Sequence, residues 1–152
     1  MEGMSINVIK MSNRPQHYRL KKADNLNVLL IDSSELILSR IKDLLLDFSF
    51  IDLVETSTDI KNIIHVIRKL SPDVIIIDIS TYDKNGIETI QTIKEHFPLI
   101  KIIMQTNLSE QYYNYYKWLF EQVGADYFID KSNEFDLLHD ILKEINENRK
   151  ED

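Results

Sequence analysis

Residues 71–86 read SPDVIIIDISTYDKNG. Pro72 bars a helix from running into this segment, because its ring removes a donor and blocks the preceding turn. Val74 to Ile77 is an unbroken β-branched run, the composition of a strand. It does not alternate with polar residues, so both of its faces need cover, as in a parallel sheet flanked by helices. The run ends on an acid, Asp78, and a polar loop follows that closes on Gly86. Two readings of Asp78 compete. It is a turn cap, or it is a reactive carboxylate held at the end of a buried strand.

The same pattern repeats to either side. Strands are predicted at 27–31 (NVLLI), 51–55 (IDLVE), 73–77 (DVIII), 100–104 (IKIIM) and 126–129 (DYFI). Between and after them, segments 35–48, 59–70, 87–96, 109–123 and 134–148 carry apolar residues three and four apart, the spacing of helices with one buried face. Strand and helix alternate five times, which predicts an α/β fold: a doubly wound, five-stranded parallel sheet of order 2-1-3-4-5 with five helices. Pro72 and Pro98 precede the third and fourth strands. Gly124 stands where a left-handed helix cap belongs, and Ser132 or Asn133 can cap the last helix. The expected organisation is a flexible arm over 1–25, one domain over 26–148 and a tail over 149–152.

Composition narrows the chemistry. A chain of 152 residues is long enough for one real core. It has no cysteine, which excludes disulfides, thiolate nucleophiles and cysteine-ligated metals. No apolar run approaches the ~20 residues of a membrane helix, and the N-terminus lacks a signal-peptide core, so a cytoplasmic protein without membrane contact is expected. The net charge is −7 but uneven. Lys10, Arg14, Arg19, Lys21 and Lys22 against Glu2 and Asp24 give residues 1–24 a net +3, leaving −10 for the remainder. An acidic body argues against direct nucleic-acid binding, which needs clustered cations. Three glycines and no Gly-Lys-Ser/Thr sequence exclude a P-loop. His17, His65, His96 and His139 are too scattered to read as a zinc site. A flavin-binding protein of this topology needs a phosphate cradle after the first strand. Here that turn is DSSE, whose two acids repel phosphate.

In open α/β sheets, ligands bind beyond the carboxyl ends of the strands, where strand order reverses. Asp32, Ser33, Ser34 and Glu35 follow the first strand. Asp78, Ile79 and Ser80 follow the third, Gln105 and Thr106 the fourth, and Asp130 and Lys131 the fifth. With the expected order, Asp32 and Asp78 share one crevice. Two neighbouring carboxylates repel unless a cation joins them, and Mg2+ suits oxygen ligands. A carboxylate so placed can accept a phosphoryl group, with a metal and a lysine neutralising charge. Each residue alone is more readily a cap or a solvated side chain. Their joint order along the strands is what points to a site.

The segments VLLIDSSELILSRIKDLL, SPDVIIIDISTYDKNGIETI, FPLIKIIMQT and GADYFIDKS resemble the receiver domain of bacterial two-component response regulators, over roughly 26–148. The resemblance implies a phosphoaccepting role for Asp78. It implies metal contacts from Asp32, Asp78 and the Ser80 backbone carbonyl, and phosphate-contacting or switch roles for Thr106, Lys131 and Phe128. It implies a histidine kinase or phosphotransfer protein as donor, and no enzyme activity beyond self-phosphorylation and dephosphorylation. With no output domain following, a stand-alone receiver that signals to a downstream protein or its own dimer is expected, through the face of helix four, strand five and helix five. The sequence departs from the family at Ser33, where a second acid is usual. Ser33 or Glu35 is then the candidate for the missing ligand, and Mg2+ binding is expected to be weak. The alternative is a degenerate receiver acting as a phosphorylation-independent interaction module. In helix four, Tyr112, Tyr116, Leu119 and Val123 are expected to be core. Trp118, off that stripe, and Tyr113, at its flank, are expected on a partner surface.

Overall fold

The computed structural model describes residues 25–78, 83–107, 110–130 and 135–151. Five strands, β1 (Leu26–Ile31), β2 (Ile51–Ser57), β3 (Val74–Asp78), β4 (Lys101–Thr106) and β5 (Tyr127–Asp130), alternate with five helices. These are α1 (Glu35–Leu46), α2 (Ile63–Leu70), α3 (Asp83–His96), α4 (Glu110–Gln122) and α5 (Phe135–Glu151). All strand pairs are parallel and the order is β2-β1-β3-β4-β5, as the sequence predicts.

Side chains alternate across a strand, so each apolar run divides between two layers. Val28, Leu30, Val74 and Ile76 face one core with Leu38, Ile41 and Leu45 of α1 and Leu138, Leu142 and Ile145 of α5. Leu29, Ile31, Ile75 and Ile77 face the other, with Ile63 and Ile67 of α2, Ile90 and Ile93 of α3 and Phe120 of α4. The central strand β3 is buried at every position, whereas the edge strand β2 is buried at only two. That is why VIIID reads as continuous and IDLVETS as mixed.

Several element ends differ from expectation. Helix α3 begins at Asp83 rather than 87, so Gly86 lies inside its first turn and not in the preceding loop. Helix α2 begins at Ile63, after a turn held by Asp59 and Ser57 hydrogen bonds that compete with helix formation. The expected tail at 149–152 is helical to Glu151: Arg149 anchors the last turn by donating to the Asn25 carbonyl at 2.9 Å. Asn25 itself belongs to the folded part. Gly124 follows α4 at φ +101°, the left-handed conformation expected of it. The proposed caps Ser132 and Asn133 lie outside the described residues.

The amino end of the sheet is fastened by two acids. Asp73 accepts from Asn27 N at 2.8 Å and pairs with Arg149 at 3.1 Å. Asp126 accepts from Ile102 N at 2.8 Å and pairs with Lys94 at 2.6 Å. Each acid precedes its own strand and satisfies a backbone donor of the next one.

A candidate acidic site at the carboxyl edge of the sheet

Register decides which side chains meet at the opposite edge. Ile31 is level with Ile77, so Asp32 and Asp78 come next on adjacent strands. Asp78 is level with Gln105, and Thr106 with Asp130. Asp32 (3% exposed), Asp78 (5%), Gln105 (3%) and Thr106 (0%) are all buried. A row of buried polar side chains above an apolar sheet is costly unless its members are mutually satisfied or hold a ligand.

Local structure orients the β1 end. Asp32 Oδ1 accepts from Ser34 N at 2.9 Å, closing the turn. Ser34 Oγ accepts from Ile37 N at 3.3 Å and caps α1. The turn thus assigns two jobs that the sequence left open: Ser34 caps the helix, and Ser33 is exposed on the surface of the turn. Glu35 is exposed and lines an open pocket of about 400 Å³ with Lys42, Thr56, Ser57 and Thr58. That pocket lies on the β2 side of β1, whereas Asp78 lies on the β3 side. Ser80 and Lys131 lie outside the described residues. Lys131 directly follows Asp130, whose register partner is Thr106. Among the described residues no group of three or more histidines and acids could hold a metal. Asp32 and Asp78 are the two buried carboxylates among the described residues at this edge.

At the β5 side, Phe128 is half-buried between two rings of α4. Tyr113 meets it edge-on at 5.0 Å and Phe120 stacks at 6.3 Å. Tyr113, expected on a partner surface, is thus half-buried, and its hydroxyl reaches toward the Phe128 carbonyl at 3.4 Å. Tyr112, expected in the core, is 52% exposed. The buried anchor of α4 is Phe120, with Tyr116 and Val123 packed beside it. Helical spacing from Phe120 turns Tyr113 inward and leaves Tyr112, Tyr115 and Trp118 outward. Trp118 is 56% exposed, as its place off the stripe predicts.

Gln105 was given no role in the sequence reading, yet it sits level with Asp78 and is buried. A polar residue inside the strand run IIMQT is the signal that could have marked it. Asp73 and Asp126 were missed too. Their signal is an acid immediately before a strand, repeated in SPDV and GADY.

A five-stranded doubly wound sheet with two buried acids at its switch point defines a class of fold and site. The match to known proteins agrees. The family model described as the response regulator receiver domain matches residues 28–143, and the chain belongs to that family. The response regulator protein VraR of Staphylococcus saprophyticus is 32% identical over 85 residues, covering 56% of this chain and 41% of that protein. This chain therefore matches less than half the length of that curated relative. A LuxR-family two-component response regulator from Aurantimonas sp. has the same fold (TM-score 0.72, 17% identity, 82% of this chain and 86% of that one). The response regulator domain of Thermotoga maritima CheB is also similar (TM-score 0.66, 26% identity, 81% and 95% covered). No described helix is long and apolar enough to cross a membrane.

Proposed function

We propose that this receiver accepts a phosphoryl group on Asp78 from a histidine kinase or phosphotransfer protein, and that it signals by protein contact through the face of α4, β5 and α5. The observation that carries the proposal is the acid pair: Asp32 and Asp78, buried and level on adjacent strands. In the transfer, an Asp78 carboxylate oxygen bonds to phosphorus. The donor's phosphorus–nitrogen bond breaks, and its electron pair leaves with the imidazole nitrogen. Asp32, Asp78 and the Ser80 carbonyl are the residues that would hold Mg2+, which when bound offsets the charge of the carboxylates and the incoming phosphoryl oxygens. Thr106 stands buried on the next strand and Lys131 follows the strand beyond, the two positions at which the receiver family contacts the phosphoryl group. The acidic body supports a protein partner rather than nucleic acid.

A second reading has one observation in its favour. Ser33 is a neutral, exposed hydroxyl where a ligating acid is usual. With one carboxylate fewer, the metal is held weakly, and an interaction module independent of phosphorylation results.

Intact-mass measurement after incubation with a small phosphodonor and Mg2+ separates the two. A gain of one phosphoryl group that Asp78→Asn abolishes supports the first reading, and Ser33→Asp should then lower the Mg2+ required. No gain at any Mg2+ concentration, in wild type or Ser33→Asp, would sink it.

A further inference from the structure

The outward arc of α4 carries no charge. Gln111, Tyr112, Asn114, Tyr115, Trp118 and Gln122 are all exposed, and at about 100° per residue they share the side of the helix opposite Phe120. Tyr112, Tyr115 and Trp118 are each more than half exposed. Lys117 and Glu121 stand on the flank toward β5, where they line an open pocket of about 250 Å³ with Asp126, Tyr127 and Phe128. Among the described residues, each of the other helices exposes charge: Arg40 and Asp43 on α1, Arg68 and Lys69 on α2, Glu88 and Glu95 on α3, Glu144 and Glu147 on α5.

The aromatic row is backed by the core. Tyr115 meets Tyr116 edge-on at 5.4 Å, and Tyr116 stacks on the buried ring of Phe120 at 6.4 Å. Aromatic enrichment with charge excluded is the composition of an interface centre. Rings already held in place lose little freedom when a partner covers them.

We infer that this face of α4 binds the same face of a second copy, the two helices running antiparallel about a two-fold axis at Tyr115. Tyr112 and Trp118 stand three residues to either side of Tyr115. The axis therefore sets Tyr115 against its own copy and Tyr112 against the copy of Trp118, a self-complementary contact. Charge selects the occupant. The chain carries −7, so two copies repel where their charged surfaces meet and approach closely only through a neutral face. A basic partner would be matched better by the acidic surfaces elsewhere. Area sets the strength. Aromatic side chains bury about 150–250 Å² each when fully covered, so three that are half exposed supply roughly 300 Å² per copy. A stable complex needs about 800 Å² per partner. The dimer is therefore weak and forms only at high concentration. It shares α4 alone with the contact face proposed above and requires no phosphoryl group.

Sedimentation equilibrium of the full chain without phosphodonor, from about 10 µM to about 1 mM, brackets a dimer of this strength. The weight-average mass should rise from 18.0 kDa toward twice that value. The rise should be steeper at about 1 M salt than at about 0.01 M, because screening removes the repulsion between copies. Emission of Trp118, the single tryptophan, should move to shorter wavelength over the same range as the indole leaves water. Tyr115→Glu sets like charges together at the axis and should hold the mass at 18.0 kDa, and the position is exposed, so folding is retained. Trp118→Gln should weaken association by roughly threefold or more. A wild-type mass fixed at 18.0 kDa leaves the face to a different protein and overturns the inference. Association that salt weakens marks a charge-paired contact and overturns it, as does association unchanged in Tyr115→Glu, which places the contact elsewhere. Either result is separate from whether Asp78 accepts a phosphoryl group.

Discussion

A carboxylate at the end of a buried strand owes its properties to its neighbours, and the same holds for a phenol. Tyr127 opens β5 within the electrostatic reach of Asp126 and of Glu144 on α5. Burial, then Glu144, then Asp126 raise its phenol above the ordinary value of 10.0. The folded state thus holds that proton more tightly than the unfolded chain does. The resulting stability is fully present below the unfolded value and is lost as pH rises through the folded one. Glu144→Gln should lower the Tyr127 ionisation toward the ordinary value. Ultraviolet titration of tyrosinate, taken as a difference against Tyr127→Phe, measures it. An unchanged titration would leave burial and Asp126 as the only causes. At this scale the sequence showed Asp32, Asp78 and Thr106, because each ends an apolar run and strand order brings the ends together. It did not show that Gln105 is buried beside Asp78, or that Ser34 rather than Ser33 caps α1, since those depend on register and on the turn that follows β1.

Elements set where side chains are presented. Helix α4 and strand β5 are joined through Gly124, whose φ of +101° an L side chain rarely adopts. An added Cβ would also stand 3.1 Å from Lys94 Cγ. That lysine has little freedom to move, because its ammonium donates to Asp126 at 2.6 Å and to the Ile100 carbonyl at 2.7 Å. Gly124→Ala should therefore destabilise the protein by about 1–2 kcal/mol in denaturant unfolding. A change near zero would mean that the turn relaxes without cost. The glycine was legible in sequence because a helix had to stop there. The facing of α4 was harder to read. In EQYYNYYKWLFEQ apolar and aromatic residues surround the helix, so periodicity alone offers two stripes, and only Phe120 seated against the sheet selects one. The outcome leaves Tyr112, Tyr115 and Trp118 as an exposed aromatic row. Trp118→Ala should change unfolding stability by no more than about 0.5 kcal/mol, as at other surface positions. A loss of several kcal/mol would instead assign the indole to the core, where aromatic deletion costs about 3–5 kcal/mol.

Across the whole molecule, the two edges of the sheet divide the work. The carboxyl edge gathers the two buried acids Asp32 and Asp78 on adjacent strands. The amino edge is fastened by acids that are already satisfied. Asp73 and Arg149 join β1, β3 and the end of α5. Asp126 and Lys94 do the same for β4, β5 and α3. The side chain of Asp73 is 9% exposed, and that of Arg149 is 27%. Removing the acid strands a partly buried guanidinium and takes the acceptor from Asn27 N. Asp73→Ala should cost about 3 kcal/mol, in the range found for breaking a buried pair. Asp73→Asn keeps an oxygen for Asn27 N while losing the charge, and should cost less. Urea unfolding of the two variants gives the order. Equal losses would show that the charge on Asp73, and not its hydrogen bond, fastens the edge. Because Val74–Asp78 spans about 17 Å, neither variant touches Asp78. Phosphoryl gain at Asp78, read by intact mass well below the melting temperature, should be the same as in wild type. A parallel fall in both would mean that the amino edge sets the geometry of the acid pair.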